Sequence, residues 1–115
     1  MNKRKTGDRF ESAACRYLQM MGFVIIVRNY RSSIGEIDII AEEKGCICFI
    51  EVKYRTSDRF GSPAEAVSRN KQRRIMLVSN KYISDNRLYN RQIRYDVVEI
   101  IDNRIRLLRD CFGGY

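Results

Sequence analysis

Four ionisable residues fall within eighteen positions of one another: Glu36, Asp38, Glu51 and Lys53. They are carried by Gly-Glu-Ile-Asp-Ile-Ile and Phe-Ile-Glu-Val-Lys, two segments rich in β-branched residues. Lys44-Gly45 lies between them as a tight turn. With a two-residue hairpin loop, Glu43 pairs with Cys46, Asp38 lies opposite Glu51 and Glu36 lies opposite Lys53. Opposed residues share one face of a sheet, with Cβ atoms roughly 4.5–5.5 Å apart. Two carboxylates so placed beside an apolar core repel each other. A hard divalent cation, Mg²⁺ or Mn²⁺, takes oxygen ligands and would neutralise both. Lys53 projects to the same side as Glu51 and could meet a phosphate held there. A solvated strand edge would account for the same charges without chemistry.

The elements that must position these residues can be read along the chain. Phe10, Ala13, Ala14, Tyr17, Leu18 and Met21 recur at helical spacing, so residues 7–21 are expected as an amphipathic helix ended by Gly22, after a mobile basic arm. Glu11 lies at the margin of that apolar stripe. It is either a solvated helix glutamate or a third carboxylate leaning toward the hairpin. Residues 23–27 read as a buried strand, and residues 29–33 as a polar loop beside Arg28, with Tyr30 and Arg31 in it. After the hairpin, a loop carries Arg55 and Arg59. Ser62-Pro63-Ala64-Glu65 has the form of a capped helix start. Helix is expected to run to Tyr82, with a break near Ser68. Lys71, Arg73 and Arg74 make it strongly basic. Residues 93–101 and 104–109 return to strand around a turn at Asp102-Asn103, and Arg94 and Asp96 share a face on which they can pair. The order is helix, three strands, helix, two strands. It predicts a single α/β domain with a mixed central sheet.

Composition narrows the function. The chain has 115 residues, Lys+Arg 22 against Asp+Glu 14, and a net charge of +8. That balance favours polyanionic partners, nucleic acid before an anionic membrane. No histidine is present, which removes histidine-based nucleases and Ser-His-Asp hydrolysis but leaves carboxylate–metal chemistry. Four cysteines without a Cys-x-x-C pair argue against a zinc site. With no signal peptide and no apolar run of membrane-spanning length, a reduced cytoplasmic setting is expected.

The element order, Gly35-Glu36-Ile37-Asp38 and Glu51-Val52-Lys53 together resemble the PD-(D/E)xK, or restriction-endonuclease-like, superfamily. More closely, the chain resembles the YraN-like family of small bacterial proteins assigned as endonucleases. The likeness runs from Gly7 to about Val98. Its landmarks are Gly7 with Glu11 and Ala14, Asn29, the two segments above with Arg55, Gly61 with Pro63, Ala66-Val67, Lys71 and Arg94-Tyr95-Asp96. Tyr95 departs from a frequent phenylalanine. The resemblance implies that residues 1–115 form one restriction-endonuclease-like domain. It implies that Asp38 and Glu51 hold a metal ion, with Glu11 completing the site. Lys53 would orient water or stabilise developing charge, and Glu36 is the motif's other acid. The expectation is a Mg²⁺- or Mn²⁺-dependent nuclease acting on structured or branched DNA. The alternative is a non-catalytic nucleic-acid-binding protein on the same fold. Arg28, Arg31, Arg55, Lys71, Arg73 and Arg74 are the expected phosphate contacts. The expected partner is nucleic acid, DNA ahead of RNA, with no membrane, and a homodimer is left open.

Overall fold

The computed structural model describes residues 3–55, 67–102 and 104–113, with side chains from residue 7 onward. Among the described residues, two helices and five strands follow in the expected order: α1 (Lys3–Met20), β1 (Val24–Arg31), β2 (Glu36–Glu43), β3 (Cys46–Arg55), α2 (Arg69–Asp85), β4 (Gln92–Ile101) and β5 (Arg104–Phe112). The strands form one sheet in the order β1-β2-β3-β4-β5. Only β3 and β4 run parallel, because α2 carries the chain back across the sheet between them. Among the described residues, no helix is long and apolar enough to cross a membrane.

Several boundaries differ from expectation. Helix α1 begins at Lys3, inside the segment read as a mobile arm. It ends where expected. The Phe23 amide donates to the Leu18 carbonyl and the Gly22 amide to Gln19, with Gly22 at φ 102°. This closing turn needs a left-handed residue, which glycine supplies without strain. Strand β1 continues to Arg31 through the expected loop, because Tyr30 and Arg31 pair with Ile37 and Glu36. The expected helix start at Ser62–Glu65 lies outside the described residues. Helix α2 is capped by Ser68, at the expected break, whose hydroxyl accepts from the Lys71 amide at 3.2 Å.

The sheet separates two cores. On one face Ile40, Phe49 and Val97 pack against Ile75, Val78 and Tyr82 of α2. On the other, Ile39, Ala41, Cys48, Ile50 and Val98 pack against Ala14 and Leu18 of α1. This strict alternation is what a sheet buried on both sides demands. Tyr95 gives the α2 side a polar link, its hydroxyl lying 2.6 Å from that of buried Ser79. The extra oxygen that distinguishes it from phenylalanine therefore has a partner.

Besides the register shifts between Ile25 and Val27 of β1 and between Tyr95 and Val97 of β4, the alternation breaks at one rung. Ile37 belongs to the α2-side core, although Ile39, two residues on, belongs to the α1 side. Strand β1 does the same. Arg28 reaches Ser12 and Glu11 of α1, whereas Tyr30 stacks on Tyr82 of α2 with ring centroids 5.1 Å apart. Between them Asn29 takes φ 53°, a left-handed conformation that asparagine tolerates better than most residues. Both strands thus turn their pleats over at one level, and Asp38 occupies that level on β2.

Candidate active site

The Lys44-Gly45 turn has positive φ at both positions, 49° and 84°, as a two-residue hairpin loop of matching twist requires. It sets the expected register, from Glu43↔Cys46 to Ile39↔Ile50. The backbone ladder then stops, one rung short of Asp38 and Glu51. Beyond it the Asp38 carboxylate replaces the backbone as the link, its Oδ2 accepting the Val52 amide at 2.9 Å. Asp38 and Glu51 still come together, but not as a simple cross-strand pair on one face. The pleat reversal turns Asp38 into the gap between the parting strands.

The two carboxyl groups lie within hydrogen-bonding reach of each other, so a proton taken up by Glu51 can be shared with Asp38. Glu51 is 5% exposed. Burial and then the Asp38 charge push its pKa up to about 7, against the pull of Lys71. Burial also raises Asp38, opposed by the Val52 amide and by Lys71. The Lys71 ammonium lies 2.5 Å from Glu51 Oε1. Burial pulls its pKa down, but Glu51, Asp38 and Glu36 together hold it above its usual value.

Glu11, Glu36, Asp38 and Glu51 line one cleft of about 340 Å³ with Arg31 and Lys71. Glu11 is buried and its pKa is raised, first by burial, while Arg28 at 3.3 Å opposes the shift. Glu36 is exposed and pairs with Arg31 at 3.4 Å. Among the described residues, no three carboxylate or cysteine side chains are close enough as placed to hold one metal ion. The donors that do meet are Asp38 and Glu51.

Lys53 does not line this cleft. It is exposed, and with the β2–β3 ladder ended its neighbour is Glu99 of β4, not Glu36. The lysine that meets the carboxylates is Lys71. The sequence pointed to Lys71 as a member of a basic helix and as a landmark of the resemblance, but gave it no part at the carboxylates. Its place three residues after a serine cap, two residues from Arg69 and with no acid in the first turn, was the available signal. Cations are disfavoured at a helix N-terminus unless an anion faces them.

The other expected phosphate contacts divide. Arg31, Lys71 and Arg74 line a groove that adjoins the cleft. Gly35 makes room for Arg74, since a Cβ there would stand 3.0 Å from the arginine stem. Arg73 lines a different groove with Arg69, Gln72 and Met76. Arg28 faces α1. The Arg55 side chain is 10% exposed and held 2.8 Å from buried Glu99, so it does not join the basic surface.

A model of the uncharacterised protein family UPF0102 matches residues 10–100. The chain belongs to this family. A UPF0102 protein of Lachnoclostridium phytofermentans is 44% identical over 116 residues, covering 100% of this chain and 98% of the relative. One from Clostridioides difficile is 43% identical over 114 residues, with 97% and 100% covered. One from Sulfurihydrogenibium is 40% identical over 113 residues, with 98% of each covered. The family match includes Glu11, Asp38, Glu51 and Lys71, and of the cleft lining Gly7 and Asp8 precede it.

Proposed function

We propose that this UPF0102 protein is a metal-dependent nuclease of the restriction-endonuclease-like type, hydrolysing phosphodiester bonds in structured or branched DNA. The observation that carries this is the pairing of half-buried Asp38 with buried Glu51 at the point where β2 and β3 part. Two carboxylates sharing a site, one with its pKa raised to about 7, are short of positive charge. Oxygen donors in that state suit a hard cation. Asp38 and Glu51 would hold Mg²⁺ or Mn²⁺, and Glu11 would join them on leaving Arg28. When bound, such an ion supplies an activated water and neutralises charge on the phosphate.

The chain's own residues supply the rest. Lys71 offsets Glu51 when the cation is absent, and its ammonium is free to face a phosphate oxygen once another charge takes its place. Arg31 and Arg74 bind the backbone along the adjoining groove. Glu36 holds Arg31 in position. Lys53, exposed beyond the cleft, contacts the strand as it leaves.

A second reading is a non-catalytic nucleic-acid-binding module. It is favoured by the ties of Glu11 to Arg28 and of Glu51 to Lys71, which leave no preformed three-carboxylate cage. One experiment separates them. Purified protein is incubated with single-stranded, duplex, flap and junction DNA, with and without Mn²⁺, beside Glu51→Gln. Metal-dependent cleavage lost in the variant is expected. Binding without cleavage under every condition selects the second reading.

A further inference from the structure

We propose that the stacked pair Phe10–Tyr54 seats one unpaired base of the substrate strand, so that the cleft selects unpaired DNA over continuous duplex; this rests on the nuclease reading above. The two rings join α1 to β3, with centroids 4.4 Å apart and planes 12° from parallel. Both line the cleft that holds Glu11, Asp38 and Glu51. They are its large apolar elements, and the rest of the lining is mainly polar or charged.

Their exposure is unequal. Phe10 is half-buried and packs on the α1-side core, whereas Tyr54 is 44% exposed. Tyr54 therefore covers Phe10 with one face and leaves ring surface open beside the carboxylates. Every base has a π-face, and aromatic platforms hold bases by stacking without reading sequence. A base inside a duplex has both faces covered by its neighbours, so only an unpaired or extruded base can use the platform. The charges fit the same occupant. Arg31, Lys71 and Arg74 attract the phosphates on one side of the carboxylates, and the rings receive the base on the other side. The cleft, about 340 Å³, is at the small end of ligand sites and suits a single nucleotide more than the width of a duplex.

The test uses the full chain in EDTA, where binding is read without cleavage. Three probes carry 2-aminopurine: a single strand, a continuous duplex and a duplex with a single-stranded flap. On the single strand and the flap, binding quenches the fluorophore, as stacking on an aromatic ring does. Tyr54→Leu, which still covers Phe10, weakens binding to those two probes by about tenfold and leaves duplex affinity unchanged. Tyr54→Phe restores both quench and affinity. Thermal melts confirm that each variant is folded. Equal losses on all three probes, or no loss on any, would overturn the proposal, because Tyr54 would then serve the fold alone. Tyr54-dependent quenching in a protein that cuts nothing in Mn²⁺ supports the platform and removes only the catalytic reading. A protein that binds none of the probes overturns the platform, and cleavage in Mn²⁺ then decides the catalytic reading by itself.

Discussion

The two ends of the β2–β3 hairpin bury acids in opposite ways. Near the turn, Glu43 accepts from Arg109 at 2.7 and 2.9 Å and from Arg94 at 2.6 Å. Arg94 also grips fully buried Asp96 at 2.8 and 2.9 Å, and Asp96 accepts the Asp110 amide. Both guanidinium groups lie over the Phe23 ring. The Arg109 bonds hold the Glu43 carboxyl down at about 2. At the far end, burial and a second carboxylate push Glu51 up to about 7, with one lysine in partial compensation. Burial of an acid is therefore not in itself a sign of function. What separates the ends is the supply of fixed positive charge. Arginine forks saturate the first, which ties β2, β4 and β5 together, and the second is left able to take up a proton or a cation.

The contrast is open to direct attack, and the largest effect is expected at the saturated end. Arg94→Met strands Asp96 and removes one partner of Glu43, and should cost about 3–5 kcal/mol in urea unfolding. Lys71→Met should cost far less, roughly 1 kcal/mol, because Glu51 can protonate in its place. Equal losses would mean that both ends are structural.

Neutralising one acid at each end should shift stability in opposite directions. At pH 8 without metal, Glu51→Gln should raise stability by about 1–3 kcal/mol, since it removes an ionised group that burial and Asp38 both disfavour. Glu43→Gln should lower it by roughly 2 kcal/mol. Added Mg²⁺ or Mn²⁺ should raise the parent's melting temperature and move Glu51→Gln much less. If Glu51→Gln melts lower than the parent and both ignore metal, the Asp38–Glu51 pair is structural.

The pH dependence should mirror this. Glu51 has a folded pKa above its ordinary 4.5, so its contribution to stability is full below 4.5 and is lost as pH rises through about 7. Glu43 has a folded pKa below 4.5, so its contribution is present above that value and is lost as pH falls through about 2. Melting curves of the parent against each glutamine variant, from pH 3 to 8, should show the two slopes with opposite sign.

The smallest expected effect concerns the basic surface. Affinity for duplex DNA should fall with salt by a slope of about −0.9 per neutralised phosphate. Alanine at Arg31 and Arg74, which share the groove beside the cleft, should flatten that slope by nearly two contacts. Alanine at Arg73, which faces the other groove, should leave it almost unchanged. A larger effect from Arg73 would move the path of the nucleic acid to the opposite side of α2.

The sequence by itself determined the parts of this molecule governed by local rules. The element order follows from hydrophobic periods of 2 and 3.6. The register from Glu43↔Cys46 to Ile39↔Ile50 follows from a turn whose two residues must both adopt positive φ, and with it the approach of Asp38 to Glu51. Glycine after the apolar stripe of α1 marked where that helix stops. Tertiary structure decided which cation meets which anion. Lys53 precedes a strand end and stays exposed, whereas Lys71, twenty positions beyond Glu51, is brought to it by packing of α2 on the sheet. Arg55 is taken by Glu99, and Arg28 by Glu11. The reversal of the pleat at Asn29 and Asp38 is likewise set by two cores competing for neighbouring residues, which no single strand records. Long charged side chains have many reachable partners, and only the assembled fold brings one of them close.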